Sequence, residues 1–237
     1  MPDTSNPVIV ALDLPQPEKA LQLVQELSPV INTFKVGSEL FSSAGPDIVR
    51  AIRQMGASVF LDLKFHDIPN TVAKAAAAVS RLDVQMLTLH TSGGLAMMAA
   101  AREAVESTAQ RLGFQPPLLL GVTVLTSFSN QELAEIGMDS HVGKQVERLA
   151  NLAVKAGLQG LVCSPLELVS LRQMVPEHMT LVTPGIRASQ DESDDQKRVL
   201  SGPEALKAGA NWIVVGRPIT ASSHPRQAAE ALVESLR

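Results

Sequence analysis

A chain of 237 residues, 45% hydrophobic and 19% charged, can bury a large core and is not a disordered segment. Its formal net charge of −4 argues against a surface that tracks nucleic-acid phosphates. With aromatics at 3% and no tyrosine, it also offers few platforms for stacking single-stranded bases.

No nucleic-acid partner is therefore expected, and an anionic ligand would need local positive charge. Cys163 is the single cysteine, which fits a reducing compartment. The opening stretch MPDTSNP lacks an apolar signal core, and no apolar run is long enough to span a bilayer, so the expectation is a cytoplasmic protein without a membrane partner.

The elements alternate along the chain. A strand over Val8–Asp13 precedes a helix that opens with Pro17 and Glu18, residues suited to a first turn. A strand at Thr33–Gly37 leads to a helical pattern over 45–56 that closes on Gly56. Strands follow at Ser58–Lys64, Val84–His90, Leu118–Leu125, Gly160–Ser164, Thr180–Gly185 and Trp212–Arg217, which makes eight. The helical patterns between and after them cover 70–82, 94–110, 142–157, 166–175, 203–210 and 224–236. The helix surfaces include Ala75–Ala78 and the Met97–Met98 pair, and Cys163 reads as packing on its strand.

Strands apolar on both faces, alternating with helices, imply a parallel sheet covered on both sides. Eight such units in this length favour an α/β fold of the (β/α)8 TIM-barrel type, as a single domain over residues 1–237. A doubly wound open sheet is the competing fold. It would need fewer strands, and the first strand is not followed by a Gly-x-Gly-x-x-Gly turn. The polar stretch Arg187–Arg198 reads either as a solvated loop or as a lid after the seventh strand.

The third strand carries charge at its end, in FLDLKFHDIPNTV (Phe60–Val72). Residues two apart on a strand share a face and lie about 6.6 Å apart, so Asp62 and Lys64 point one way and Leu61, Leu63 and Phe65 the other. Charges on an inward face are costly unless paired, and one reading is a structural ion pair closing the barrel. Asp67 could complement the dipole of the helix that begins at Pro69, and Thr71 could satisfy one of its unpaired amides. Against those separate readings stands a coincidence: Asp13, Lys35, Asp62 and Lys64 fall at the C-terminal ends of three consecutive strands. In a barrel they would converge on the face that carries active sites. His90, ending the fourth strand, reads as a buried, satisfied histidine.

The segment D-x-K-x-x-D-I-P-x-T, with F-K-V-G upstream, resembles the orotidine 5′-monophosphate decarboxylase family in its bacterial form. So do VALD, GVTVLTS, TPGIR and VVGRPI, in the same order. The D-x-K-x-x-D piece alone is shared with magnesium-dependent sugar-phosphate decarboxylases and aldolases of related barrels. Those usually carry an acid where Lys35 stands, so Lys35 discriminates.

The resemblance implies removal of CO2 from orotidine 5′-monophosphate to give uridine 5′-monophosphate. It makes Lys64 the proton donor to C6, beside Asp62, in a Lys35–Asp62–Lys64–Asp67 array. Whether such an array acts by ground-state repulsion or by transition-state stabilisation is left open by the sequence. The resemblance places Asp13 and Lys35 on ribose hydroxyls and Thr126 on the base. It places Arg187, Gly216 and Arg217 on the phosphate, and Gln196 at the phosphate and closing over the pyrimidine side. Asp67 and Thr71 would serve the partner's site in a homodimer, and Ile68, between them, is expected to contact substrate. No cofactor motif and no metal-ligand spacing is visible, so none is expected.

Overall fold

The computed structural model describes residues 6–138, 140–186 and 200–236. Eight parallel strands pair in chain order: β1 (Val8–Ala11), β2 (Thr33–Gly37), β3 (Ser58–Phe65), β4 (Met86–His90), β5 (Leu118–Val122), β6 (Gly160–Val162), β7 (Thr180–Thr183) and β8 (Trp212–Val215). β8 returns to hydrogen-bond β1, with Ile9 opposite Val214, so the sheet closes into a (β/α)8 barrel. The open-sheet alternative is thereby set aside.

The expected helices form at Pro17–Leu27, Asp47–Gln54, Pro69–Ser80, Gly94–Leu112, Val142–Lys155, Leu168–Met174, Gly202–Lys207 and Pro225–Ser235. Gly56 takes the left-handed conformation (φ 83°) just past the second of them, as a helix stop requires. Three short helices were not foreseen: Ser38–Ala44, Asn130–Glu135 and Arg217–Thr220. The first buries only Leu40, so its sequence carries no apolar period. The second starts from a capping box, in which Ser129 accepts from the Glu132 amide and the Glu132 carboxylate accepts from the Ser129 amide. Among the described residues no helix is long and apolar enough to cross a membrane.

Strand alternation divides the core in two. Val8, Val10, Phe34, Val36, Val59, Leu61, Leu87 and Leu89 pack outward against the helices. Ile9, Ala11, Phe60, Met86, Leu120, Val182, Trp212 and Val214 fill the barrel interior. The next inward positions along β2, β3 and β4 toward their C-terminal ends are Lys35, Asp62 and Thr88, and there the filling turns polar.

Candidate active site

β3 does not run as a regular strand. It pairs in step with β4 as far as Leu61–Leu87, and the next pair is Phe65–Leu89. β3 thus advances four residues while β4 advances two. The excess is a bulge, a device that bends a strand and re-aims its side chains. Within it Lys64 adopts a left-handed backbone, φ 50°. For a residue with a Cβ that conformation costs about 1–2 kcal/mol, so its surroundings must hold it. The faces assigned from alternation survive: Leu61, Leu63 and Phe65 pack outward, while Asp62 and Lys64 meet inside. The regular ladder behind that assignment does not.

The charges form a chain of alternating sign. Lys35 Nζ donates to Asp13 Oδ1 at 2.7 Å and lies 3.9 Å from Asp62 Oδ2. Lys64 Nζ donates to the same Asp62 oxygen at 2.8 Å. Lys35 and Asp62 are 9% and 8% exposed, so neither can rely on water. An unpaired charge there would be strongly destabilising; each is flanked by opposite charge. Asp13 lies two residues beyond β1, with a side chain 58% exposed. The array is open to solvent at that end and closed at Asp62.

Two neighbours that the sequence reading did not single out shape this geometry. Thr88 on β4 is completely buried. Its hydroxyl donates to Asp62 Oδ1 at 2.8 Å and accepts from the Lys64 amide at 2.9 Å. The second is Gly37, at the end of β2. A Cβ there would stand 3.0 Å from Lys35 Nζ and 3.1 Å from Asp13 Oδ1, so glycine makes room for the contact between them. Both had a sequence signal. Thr88 shares the inward parity of His90 in MLTLH, and Gly37 ends the strand that carries Lys35.

Asp67, Ile68 and Thr71 stand apart from the array, exposed on the chain surface. Ile68 is 65% exposed, large for an apolar side chain. Asp67 Oδ1 accepts from the Ile68 amide at 2.6 Å, and among the described residues it makes no ion pair with Lys64. Ile68 is the N-cap of the helix Pro69–Ser80 and supplies no side-chain cap, and the Thr71 amide donates to the Ile68 carbonyl at 3.0 Å. A single chain therefore joins Lys35, Asp62 and Lys64 but not the fourth member, Asp67.

Thr126 is half-buried in the turn after β5, where the Phe128 amide donates to the Leu125 carbonyl. Gly216 caps the short helix Arg217–Thr220 after β8, next to Ala11 at the end of β1, and Arg217 is exposed. A Cβ on Gly216 would meet only an ordinary contact, at 3.7 Å from Ala11, so packing does not require glycine there. Arg187 and Gln196, with the polar stretch 187–198, lie outside the described residues.

His90 is half-buried beside the array, its ring centroid 5.5 Å from that of His66. Burial pushes its pKa below the usual histidine value, His66 and the Lys64 ammonium push the same way, and Asp62 partly opposes them.

Comparison with known proteins agrees across almost the whole molecule. Residues 6–232 match the family described as orotidine 5'-phosphate decarboxylase / HUMPS. The orotidine 5'-phosphate decarboxylase of Pseudomonas syringae pv. tomato is 52% identical over 230 residues, 97% of each chain. That of Dichelobacter nodosus is 48% identical over 231 residues, 98% of this chain and 99% of the other. The crystal structure of the Lactobacillus acidophilus enzyme of the same name superposes with a TM-score of 0.87 at 37% identity, over 98% of this chain and all of that one. Identity of that extent, on the same closed barrel, makes the chain a member of the orotidine 5'-phosphate decarboxylase / HUMPS family.

Proposed function

We propose that the chain is a carboxy-lyase converting orotidine 5'-monophosphate to uridine 5'-monophosphate and CO2, the closing step of pyrimidine nucleotide synthesis. Residues 1–237 act as one decarboxylase domain. The observation that carries this reading is the Asp13–Lys35–Asp62–Lys64 chain of alternating charge at the mouth of the barrel.

In the reaction the C6–carboxylate bond breaks, CO2 leaves, and the electron pair stays on C6. Lys64 Nζ gives its proton to that carbon and is reprotonated from solvent. A carbanion with little resonance relief needs fixed positive charge, and Lys64 both supplies it and donates the proton. Asp62 would lie beside the substrate carboxylate. Two carboxylates about 4 Å apart repel by about 4 kcal/mol at the effective dielectric of a protein site. Enzymes lower barriers by about 8–23 kcal/mol, and this reaction needs the upper part of that range. Ground-state repulsion is therefore the smaller contribution, and preorganised stabilisation of the carbanion by the lysines the larger.

Asp13 and Lys35 would bind ribose hydroxyls, Thr126 the base, and Arg187, Gly216 and Arg217 the phosphate, with Gln196 reaching the phosphate and closing over the pyrimidine side. Barrels commonly hold phosphate after strands seven and eight, beside a short extra helix such as Arg217–Thr220. The exposure of Asp67 and Thr71 supports a homodimer in which each chain completes its partner's site, Asp67 joining the Lys35–Asp62–Lys64 group, with Ile68 beside them as a substrate contact. Specific activity should then fall on dilution through the dimer dissociation range; a fully active monomer in sedimentation would refute composite sites.

The magnesium-dependent sugar-phosphate enzymes of related barrels are the rival. Against them stands Lys35, which puts a second ammonium 3.9 Å from the Asp62 oxygen that Lys64 already engages, a poor setting for a dication. One assay decides: purified protein in excess chelator should consume orotidine 5'-monophosphate absorbance and release uridine 5'-monophosphate. Complete loss of turnover on chelation would favour the rival.

A further inference from the structure

We infer that Thr88 is a positioning residue for the reaction, its single hydroxyl setting both the orientation of the Asp62 carboxylate and the backbone of Lys64. This rests on the decarboxylase reading of the site. The hydroxyl has one proton and two lone pairs. The proton goes to Asp62 Oδ1 at 2.8 Å, and a lone pair receives the Lys64 amide at 2.9 Å. Thr88 is 0% exposed, so water cannot replace it in either bond.

The two bonds do different things. Engaging Oδ1 fixes the carboxylate plane, so that the other oxygen, Oδ2, faces both ammoniums, Lys64 at 2.8 Å and Lys35 at 3.9 Å. Receiving the Lys64 amide compensates for the bulge. Between Leu61–Leu87 and Phe65–Leu89 the regular pairing of β3 with β4 is interrupted, and a buried amide without a partner is strongly disfavoured. The Thr88 side chain stands in for the missing strand partner. It also holds Lys64 at φ 50°, where the side chain starts its path to Asp62. A helix or loop could not do this as rigidly: Thr88 sits in the middle of β4, paired to Leu120 of β5. The hydroxyl touches the proton donor's backbone and the neighbouring acid, and its effect on turnover passes through those two residues.

The test compares Thr88→Val, which keeps shape and removes the hydroxyl, with Thr88→Ser, which keeps the hydroxyl. Misplacing a reacting group by about 1 Å can cost about 100-fold in rate. Thr88→Val should accordingly lose about 10- to 100-fold in kcat with KM within about threefold of the parent, and Thr88→Ser should stay within about threefold in both. Exchange of the Lys64 amide hydrogen should be slow in the parent and in Thr88→Ser, and faster in Thr88→Val. If Thr88→Val fails to fold, Thr88→Ala against Thr88→Ser makes the same comparison, because both lack the methyl group. Unchanged kcat in the hydroxyl-free variant, a defect confined to KM, or a Thr88→Ser variant as slow as Thr88→Val would each overturn the proposal. A parent protein that does not decarboxylate orotidine 5'-monophosphate would instead overturn the function. The exchange measurement still decides the Thr88 contact in that case, unprotected Lys64 amide in the parent counting against it.

Discussion

Phe60 and Asp62 are two residues apart on one strand and point into one barrel, yet they belong to different regimes. Around Phe60 the interior is closed by Met86, Leu120, Trp212 and Val214, with no charge among them. One step higher, Asp62 lies among Lys35, Lys64 and Thr88. The lower layer lowers the free energy of folding by removing apolar surface from water. The upper layer gives some of that up, because buried charges barely break even when paired. The difference teaches how a barrel divides its labour: the floor keeps strand ends at fixed spacing, and the mouth uses that spacing to hold charges too costly for a mobile surface to hold.

The largest expected effect separates the two layers. Phe60→Ala, at a side chain 1% exposed, should cost about 3–5 kcal/mol in urea unfolding. Below the new midpoint its turnover should fall far less than that of Lys64→Ala. Lys64→Ala should lose at least about 100- to 10,000-fold in kcat, the range for a general acid, while keeping most of its stability and measurable nucleotide binding. If Phe60→Ala lost activity as steeply as Lys64→Ala, floor and mouth would be one energetic unit. If Lys64→Ala turned over normally, the proton donor would lie elsewhere.

What the sequence made legible follows the same division. All eight strands could be placed because a parallel strand covered on both faces is a nearly unbroken apolar run, as in VIVA and WIVV. The charged positions stood out because Lys35, Asp62 and Lys64 interrupt such runs at the ends. The bulge in β3 was not legible, since alternation of side chains assumes a regular ladder, and pairing with β4 is a long-range property. Thr88 escaped notice for a related reason. A threonine in a strand is ordinary, and its importance comes from lying opposite the bulge. Asp67 could be read as part of the motif but not located: it precedes the N-cap of the helix Pro69–Ser80 on the surface and makes no ion pair with the array among the described residues.

A smaller effect tests how closely the mouth is fitted. Gly37→Ala would place a Cβ 3.0 Å from Lys35 Nζ and 3.1 Å from Asp13 Oδ1, so one of the two must yield by a few tenths of an ångström. Both are ends of flexible side chains, and the backbone at Gly37 has φ −91°, which alanine accepts, so the fold should tolerate the change. On the proposed reading, in which Asp13 and Lys35 hold ribose, the weakened pair would bind it less well. Loss of about 1.5 kcal/mol, the lower value for a hydrogen bond to a charged group, corresponds to about a tenfold rise in KM. Steady-state kinetics should find kcat changed less than KM. The reverse pattern would make the place of Lys35 in the charged array, rather than its proposed contact with ribose, the one that Gly37 protects.

The smallest effect concerns pH and sits at the border of the two layers. His90 is inward-facing and half-buried, and its pKa in the folded protein lies below the unfolded value of about 6.5, chiefly through burial, with His66 and Lys64 adding to it. As pH falls below about 6.5 the unfolded chain takes up a proton at this position before the folded one does, so the unfolded state gains. Stability associated with His90 is therefore complete above that pH and declines as pH descends toward the lowered folded value. A Thr88-like partner would have raised the pKa instead, by hydrogen-bonding the charged ring; desolvation beside an ammonium does the opposite. Thermal unfolding of the parent should lose stability between neutral and mildly acidic pH, and His90→Gln should flatten part of that decline without altering the neutral-pH midpoint by much. A decline just as steep in His90→Gln would assign the acid sensitivity to other groups and leave His90 as packing alone.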